Sequence, residues 1–540
     1  MPPGHNKLEY DVRLFLAAIS VLALAAFPAM AADKPNIIFF LVDDYDKPET
    51  SVYGGKVLTP NLDRMAREGM TLTNAHMTST VCTPSRYTCL TGRYAGASTC
   101  RYYLDECPPG QQGLPAFNVE LEPDNMNVGQ VLKDNGYATG FVGKYHVGPH
   151  IDDKNAKRFD WQYIPKNSEF STDIQRMKQH NQKRACALIG VRGFTWVRNI
   201  YWGNTKAPFK GHNPEWTIDA ALEFIDKHKD KHKDKPFYLH YSTTLLHGPN
   251  GEWFKSLGKP LVTDEGMLDK PIGIMDRDRV MKRILKAGLT EDEAGYLWMD
   301  DSLGMLLDRL DKHGIAENTV VVFIADHGSI HKGSLLKNRG TEVPCLIRWP
   351  AGIKPGIRSD ELVQNTDFVA TWFDVAKANV PKNFRLDGVS LAPLFKAPNK
   401  PVRDYVYGEM GPARSIKTKH WNYIALRYTK EQIEAIQNEH RSVKQLMGLS
   451  GGVSRAKTYP HAFDPDQLYD LAKDPTEKNN VATKRRHRDR VAELKQLLKK
   501  ELSRFPDRPF GEFIPGGNAV GLEGQTGLIE KLRVFAAKSK

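Results

Sequence analysis

The sequence predicts an α/β fold: a mostly parallel sheet sandwiched by helices, with a small C-terminal subdomain of antiparallel strands plus a helix. Three observations carry this. Continuous apolar runs alternate with capped, amphipathic segments from Asn36 to Ala325, the pattern of strands buried on both faces between crossover helices. With 540 residues, 40% apolar and 26% charged, the chain is globular and long enough to bury a large core. From about Asp387 the texture changes to short strand-like stretches, "DYVYGE" and "HWNYIAL", then an amphipathic helix near Val491–Leu502 and a Gly-rich tail.

A leader comes first. Lys7 and Arg13 precede the apolar run "LFLAAISVLALAAF", and Ala29-Met30-Ala31 follows. A charged start, a short apolar centre and an Ala-x-Ala end predict a signal peptide over residues 1–31. The protein is therefore expected to be exported, periplasmic or extracellular, with no membrane insertion after cleavage.

The first strand is "NIIFFLV", Asn36–Val42. "TPNLDRMAREGM" is a helix, with Thr59 as N-cap, Pro60 at its first position and Gly69 as its stop. In "VCTPSRYTCLTGRY" a helix starts at Pro84-Ser85-Arg86, with Cys82 at or just before its N-terminus. "NVGQVLKDNGY" is a short helix and "ATGFVG", Ala138–Gly143, the second strand. Residues from about Lys154 to Lys210 are irregular, aromatic and basic, like an insertion. "EWTIDAALEFIDKH" is a helix and "PFYLHYSTT" the third strand. "EDEAGYLWMDDSLGMLLDRLDKHG" is the clearest helix, with Tyr296, Met299, Leu303, Leu306 and Leu310 on one stripe and Gly314 at its end. "TVVVFIA", Thr319–Ala325, is the fourth strand.

The net charge of +12 would suit a polyanion. The basic residues are scattered, however, many in helical surface runs such as "DKHKDKHKDK", where His228 and His232 are expected in solvent. No nucleic-acid partner is expected. The six cysteines, Cys82, Cys89, Cys100, Cys107, Cys186 and Cys345, contain no CxxC pair, which leaves a zinc ribbon unsupported. Cys100 and Cys107 are close enough to bridge a small loop, and the pairing stays open.

Chemistry collects at the strand ends. Asp43 and Asp44 follow the first strand, Lys144 and His146 the second, His247 the third, Asp326 and His327 the fourth. In open parallel sheets the functional crevice lies beyond the carboxyl ends of the strands. Three converging carboxylates need a cation, and oxygen-rich ligation points to calcium or magnesium. A helix start at Cys82 favours an anion, and Arg86 shares its helical face. A bare thiolate there would have a lowered pKa. A cysteine hydrolase is conceivable, although a thiolate beside three carboxylates and a hard cation is a poor match.

"CTPSRYTCLTGRY" resembles the signature of the type I sulfatases, Cys-x-Pro-Ser-Arg followed by Thr-Gly-Arg. "PNIIFFLVDD", "TPNLDRMAREG", "GYATGFVGKYHVG", "ADHG", "EVPCLIRWP" and "LYDLAKDPTEKNN" stand in that family's order over most of the chain. The resemblance implies an alkaline phosphatase-like fold, with residues 33–386 as catalytic domain, an insertion at about 154–210, and residues 387–540 as C-terminal subdomain and tail. It implies that a formylglycine-generating enzyme oxidises Cys82 to Cα-formylglycine. It also implies a calcium ion held by Asp43, Asp44, Asp326, His327 and the modified Cys82, with Arg86 supporting that residue. Lys144 and His146 match the family's Gly-Lys-x-His. His247 matches the histidine of Pro-His-x-Pro, although Leu246 replaces the first proline. His327 stands where many members have Asn. A further sulfate-contacting lysine is best matched by Lys332, with Lys337 as competitor.

The implied activity is hydrolysis of sulfate esters of a sulfated carbohydrate. The alternatives are a phosphonate monoester or phosphodiester hydrolase and a sulfoglycan-binding protein with a decayed site. Trp161, Trp196, Arg198, Tyr201 and Trp202 suit sugar stacking and anion contact, or ordinary loop packing. Tyr102, Asp105 and Glu106 are further cleft candidates, whereas His212 and His420 are left out of the site.

Overall fold

The computed structural model describes residues 34–149, 151, 156–205, 209–231, 235–258, 262–268, 272–438, 459–505 and 507–538. The expected signal peptide and His232 lie outside these residues. Among the described residues no helix is long and apolar enough to cross a membrane.

The strands are β1 (Asn36–Val42), β2 (Met70–His76), β3 (Ala138–Lys144), β4 (Trp196–Tyr201), β5 (Phe237–Ser242), a small hairpin of β6 (Val262–Thr263) and β7 (Gly266–Met267), then β8 (Thr319–Ala325), β9 (Glu342–Arg348), β10 (Ile357–Ser359) and β11 (Val363–Gln364). The main sheet has the order β10-β2-β9-β8-β1-β5-β3-β4, with β11 also on β2. Its neighbours are parallel except around β9, which runs against both β2 and β8. In β1 and β8 the apolar side chains are wholly buried, because helices cover both faces.

Helix Ala294–Lys312 packs on helix Pro214–Lys231 and on helix Pro60–Glu68. Its predicted stripe is buried, and so are Leu297, Trp298 and Leu307 beside it. Thr59 makes no side-chain cap to Pro60–Glu68. Asp300 replaces it from the neighbouring helix, accepting the backbone N–H groups of Asn61 and Leu62 at 2.9 Å each. The orphan donors of one helix start are thus satisfied across a helix contact.

A second sheet follows in antiparallel order: β12 (Val406–Met410), β13 (Ala413–Lys417), β14 (Trp421–Leu426) and β15 (Asp466–Asp470). Helix Arg488–Leu502 buries Leu494, Leu498 and Leu502 in one apolar cluster with Ile416, Tyr423 and Leu468. A separate cluster joins Met410, Ile424 and Tyr469 to Val81, Leu335 and Leu336.

Three features depart from expectation. The stretch expected to be irregular holds helix Thr172–Gly190 and edge strand β4. The helix buries Lys178, Asn181 and Gln182 along with Ile174, Ala185 and Ile189. Gln182 clamps the N–H and C=O of Ile200 at 2.8 and 2.9 Å; polar side chains bonded to backbone replace apolar ones and blur the periodicity. His228 is buried against Phe224 and Phe237, with Nε2 2.6 Å from the Lys235 carbonyl, not in solvent. Finally, a helix at Leu528–Lys538 follows the Gly-rich tail, with Leu528 and Leu532 buried.

Candidate functional site

Six strands, β1, β2, β3, β4, β5 and β8, deliver chain to one edge of the main sheet. After β1, Asp43 is pinned by backbone bonds to Leu245 and Leu246. Asp44 turns the chain at φ 53 and donates its N–H to Asp326 Oδ1 at 3.0 Å. Aspartate tolerates that left-handed conformation better than most residues. Asp326 follows β8 and donates its own N–H to Val42 at 2.8 Å. Beyond β2 the chain enters helix Cys82–Thr91, with Val81 as cap and all ten residues buried.

Cys82 Sγ is the centre of the cluster. It lies 3.5 Å from Asp43 Oδ1, 3.4 Å from His327 Nε2, and 3.7 Å from Nζ of both Lys144 and Lys332. Arg86 donates Nε to Asp326 Oδ2 at 2.9 Å and one terminal N–H to the Lys144 carbonyl at 3.2 Å and the Ser242 hydroxyl. Its other terminal nitrogen sits 3.4 Å from Asp43. One guanidinium thus ties the ends of β1, β3, β5 and β8. Lys144 pairs with Asp43 and also donates to Asn204. Lys332 grips both oxygens of Asp44, at 2.8 and 2.9 Å.

Of the remaining expected residues, His247 borders this centre, His146 packs beside the cleft residue Phe117, and Lys337 is engaged elsewhere. His247 Nε2 is 3.9 Å from Asp44 Oδ2, and its side chain is 27% exposed, so it faces the opening. His146, at φ 45, is held by its N–H to the Trp202 carbonyl at 2.9 Å, with its ring 6.0 Å from Phe117. Lys337 pairs with Glu342 at 3.4 Å.

Burial works against charge throughout. It would push the Asp43 carboxyl up, yet Lys144 and Arg86 outweigh it and hold that group well below the usual range. Asp44 is lowered in the same way by Lys332 and His327. Burial would strip Lys332 of its proton, but the carboxylates of Asp44 and Asp43 keep its pKa raised. At Cys82 burial wins: the thiol is pushed up despite Lys144 and Lys332. The lowered thiolate pKa expected at a helix start is therefore not found, because desolvation exceeds the pull of nearby cations. Burial also lowers His247, favouring neutral imidazole.

Three carboxylates are matched by three cations in this arrangement. Ligand atoms of Asp44, Cys82 and His327 lie within 4.8 Å of one another, as do those of Asp43, Cys82 and Asp326. Three carboxylates with one imidazole are a mostly hard, oxygen-rich donor set, which fits calcium.

A cleft of about 480 Å³ opens over this cluster, lined by Asp44, Lys332, His247, Asn204, Phe117, Trp253 and Tyr296. The insertion's aromatics pack elsewhere: Trp161 on Trp202, Trp196 on Phe224 and Tyr201 on Trp216. Trp161 and Trp202 line a separate pocket of about 170 Å³. Asn204 was missed; it stands just after β4, where the strand-end pattern would have marked it had β4 been recognised. His212, which the sequence leaves outside the site, is buried with Nδ1 2.9 Å from the Thr244 hydroxyl, on the segment that leads to His247.

A family model described as sulfatase matches residues 35–378, and one described as the C-terminal part of N-sulphoglucosamine sulphohydrolase matches residues 325–440. The chain is 27% identical over 469 residues to an ulvan-active sulfatase of Formosa agariphila, covering 84% of this chain and 76% of the other. It is 26% identical over 541 residues to an N-acetylgalactosamine-6-O-sulfatase of Bacteroides thetaiotaomicron, covering 86% and 93%. Among solved structures it resembles one in complex with its substrate D-glucosamine-2-N,6-O-disulfate, with TM-score 0.55, 21% identity and coverage of 88% and 99%. A sulfatase of Pseudoalteromonas sp. gives TM-score 0.55, 18% identity and coverage of 90% and 92%. These two likenesses concern the fold.

Proposed function

The chain belongs to the sulfatase family, and from that premise we propose that this sulfuric ester hydrolase acts on a sulfated carbohydrate through Cys82 converted to Cα-formylglycine. The observation that carries the reading is the convergence of two lysines, an imidazole and a carboxylate within 3.4–3.7 Å of Cys82 Sγ. Relatives named for N-acetylgalactosamine-6-O-sulfate and ulvan support the substrate class. The basic balance of the chain suits a polyanion.

Asp43, Asp44, Asp326 and His327, with residue 82, would hold calcium, which when bound supplies a fixed positive charge and acidifies the attacking hydroxyl. As hydrated formylglycine, residue 82 would offer one hydroxyl to attack sulfur, its proton passing to a carboxylate of the cluster, and a second through which sulfate is later expelled. Arg86 fixes the strand ends so that these groups stay in register. Lys144 and Lys332 face the transferring sulfate from two sides and stabilise its developing charge. His247, at the opening, protonates the departing alcohol oxygen from its imidazolium form, which its lowered pKa makes scarcer as the pH rises. His146 accepts the proton released as the aldehyde is restored.

The same reading includes export after removal of residues 1–31, maturation by a formylglycine-generating enzyme, a catalytic domain over residues 33–386, and a C-terminal subdomain over residues 387–540.

Mass spectrometry of the tryptic peptide carrying residue 82, set against turnover, tests the mechanism. A thiol-to-aldehyde mass loss is expected in proportion to activity, and full activity from unmodified cysteine sinks it. Cys82→Ala should abolish turnover with the fold intact. A higher kcat/KM on aryl phosphonates than on aryl sulfates would reassign the reaction.

A further inference from the structure

The loop from β8 to β9 carries Lys332 and is gripped from two sides. Thr80, two residues before Cys82, accepts the Gly333 N–H at 3.0 Å and donates its hydroxyl to the Ser334 carbonyl at 2.6 Å. From the other side come polar groups of the second sheet. Lys417 Nζ and Asn422 Nδ2, opposite each other on β13 and β14, donate to the Leu335 carbonyl at 3.4 and 3.1 Å. Glu477, in the turn after β15, accepts the Asn338 N–H at 3.0 Å and the Asn422 amide at 2.6 Å.

Lys417, Asn422 and Glu477 are each at most 2% exposed. Apolar contacts from Leu335 and Leu336 already join the loop to this sheet. A buried carboxylate and ammonium add little net stability over apolar groups of the same size. What they add is direction, because each aims at a particular main-chain atom of the loop. Glu477 also sits at φ 55, a strained position for a glutamate that persists only where its surroundings fix it. Burial pushes the Lys417 ammonium down to about 8 and the Glu477 carboxyl up, each partly restored by the other's charge.

We propose that Glu477, with Asn422 and Lys417, is a positioning residue: it sets the height of the β8–β9 loop and so the reach of Lys332 toward the sulfate. This rests on the reading of Lys332 as a sulfate-contacting group. The part of the motif "LYDLAKDPTEKNN" that holds Glu477 thereby acquires a role in catalysis through a residue 145 positions earlier.

The test is a double-mutant cycle on full-length, formylglycine-converted protein with an aryl sulfate. Glu477→Gln should lower kcat/KM by about tenfold or more, mostly in kcat, since Lys332 acts on charge that develops in the transition state. Thermal stability should fall by only a few degrees. In a Lys332→Ala background the same substitution should change kcat/KM by less than about twofold. Equal losses in both backgrounds, or a loss that simply tracks unfolding, overturn the positioning role and leave Lys332 standing. Full activity of Lys332→Ala overturns the role of Lys332, and this proposal with it. If Glu477→Gln does not fold, Asn422→Ser gives the same cycle with both charges retained.

Discussion

At φ 92, Gly143 runs so close to β5 that a Cβ there would lie 1.9 Å from the Ser242 carbonyl oxygen. The next residue is Lys144, and the Ser242 hydroxyl binds Arg86. One methyl group would therefore push on two members of the site. Gly143→Ala should lose more than about 3 kcal/mol of stability and most activity; a wild-type urea midpoint would contradict this account. The lysines give a second residue-scale expectation. Lys332→Ala should cut kcat/KM on an aryl sulfate by about 100-fold or more. Lys337→Ala should stay within about threefold, because its ammonium is engaged with Glu342 and makes no charge contact with the transferring sulfate on this reading. Equal losses would reassign the sulfate contact. Motif order alone left this pair open, because the choice depends on how Thr80 and Asp44 hold the loop. Cys82 shows the opposite limit: its place at a helix start was legible, but the direction of its pKa was not, since desolvation depends on everything packed over it.

At the scale of elements, legibility followed burial symmetry. β1, β3, β5 and β8 read as strands because apolar runs, or nearly so, are what two covered faces demand. β2, "MTLTNAH", hides polar side chains in the interior, where His76 Nε2 meets Asn74 at 2.8 Å, and its pattern is correspondingly mute. Helix Thr172–Gly190 was masked by buried amides that bond to backbone. β5 carries a testable oddity. His240 is buried, stacked on Phe141 with ring centres 4.7 Å apart, and 3.1 Å from the Tyr238 hydroxyl. Burial pushes its pKa down to about 3, with Arg86 adding to the shift. A folded pKa below the unfolded one means stability that is complete above about pH 6.5 and lost as the pH falls toward 3. By pH 5 the loss is about 2 kcal/mol. His240→Phe should remove that part of the acid limb in urea unfolding compared at pH 7 and pH 5; an unchanged difference would place the acid sensitivity elsewhere.

For the whole molecule, the α/β class and the strand-end rule together foretold which side chains would converge. The rule worked because every parallel strand of the sheet points its carboxyl end the same way. Lys332 sits on the loop that leaves the carboxyl end of β8, seven residues past the strand, too far along for strand ends alone to tell it from Lys337. The convergence of Asp43, Asp44, Asp326 and His327 around residue 82 has a global consequence on the proposed reading. A bound dication stabilises only the folded chain, where its ligands converge. Calcium at about 100 times its Kd should add about 2.7 kcal/mol of stability, read as a rise in Tm reversed by a chelator. Asp44→Asn should abolish most of that rise. A Tm indifferent to calcium and chelator, in active enzyme, would remove calcium from the proposed site.

If Cys82 is converted as proposed, the ten buried residues from Cys82 to Thr91 set an order of events for the chain. An enzyme that oxidises the side chain of Cys82 must take hold of the peptide around it, and a helix enclosed on all sides offers no handle. On the proposed maturation, conversion has a deadline: it must precede the packing that buries this helix. Chains that fold first stay locked as cysteine for as long as they remain folded. The active fraction of a preparation is then set by a race between two rates, and unfolding the laggards, not longer incubation, is what would rescue them.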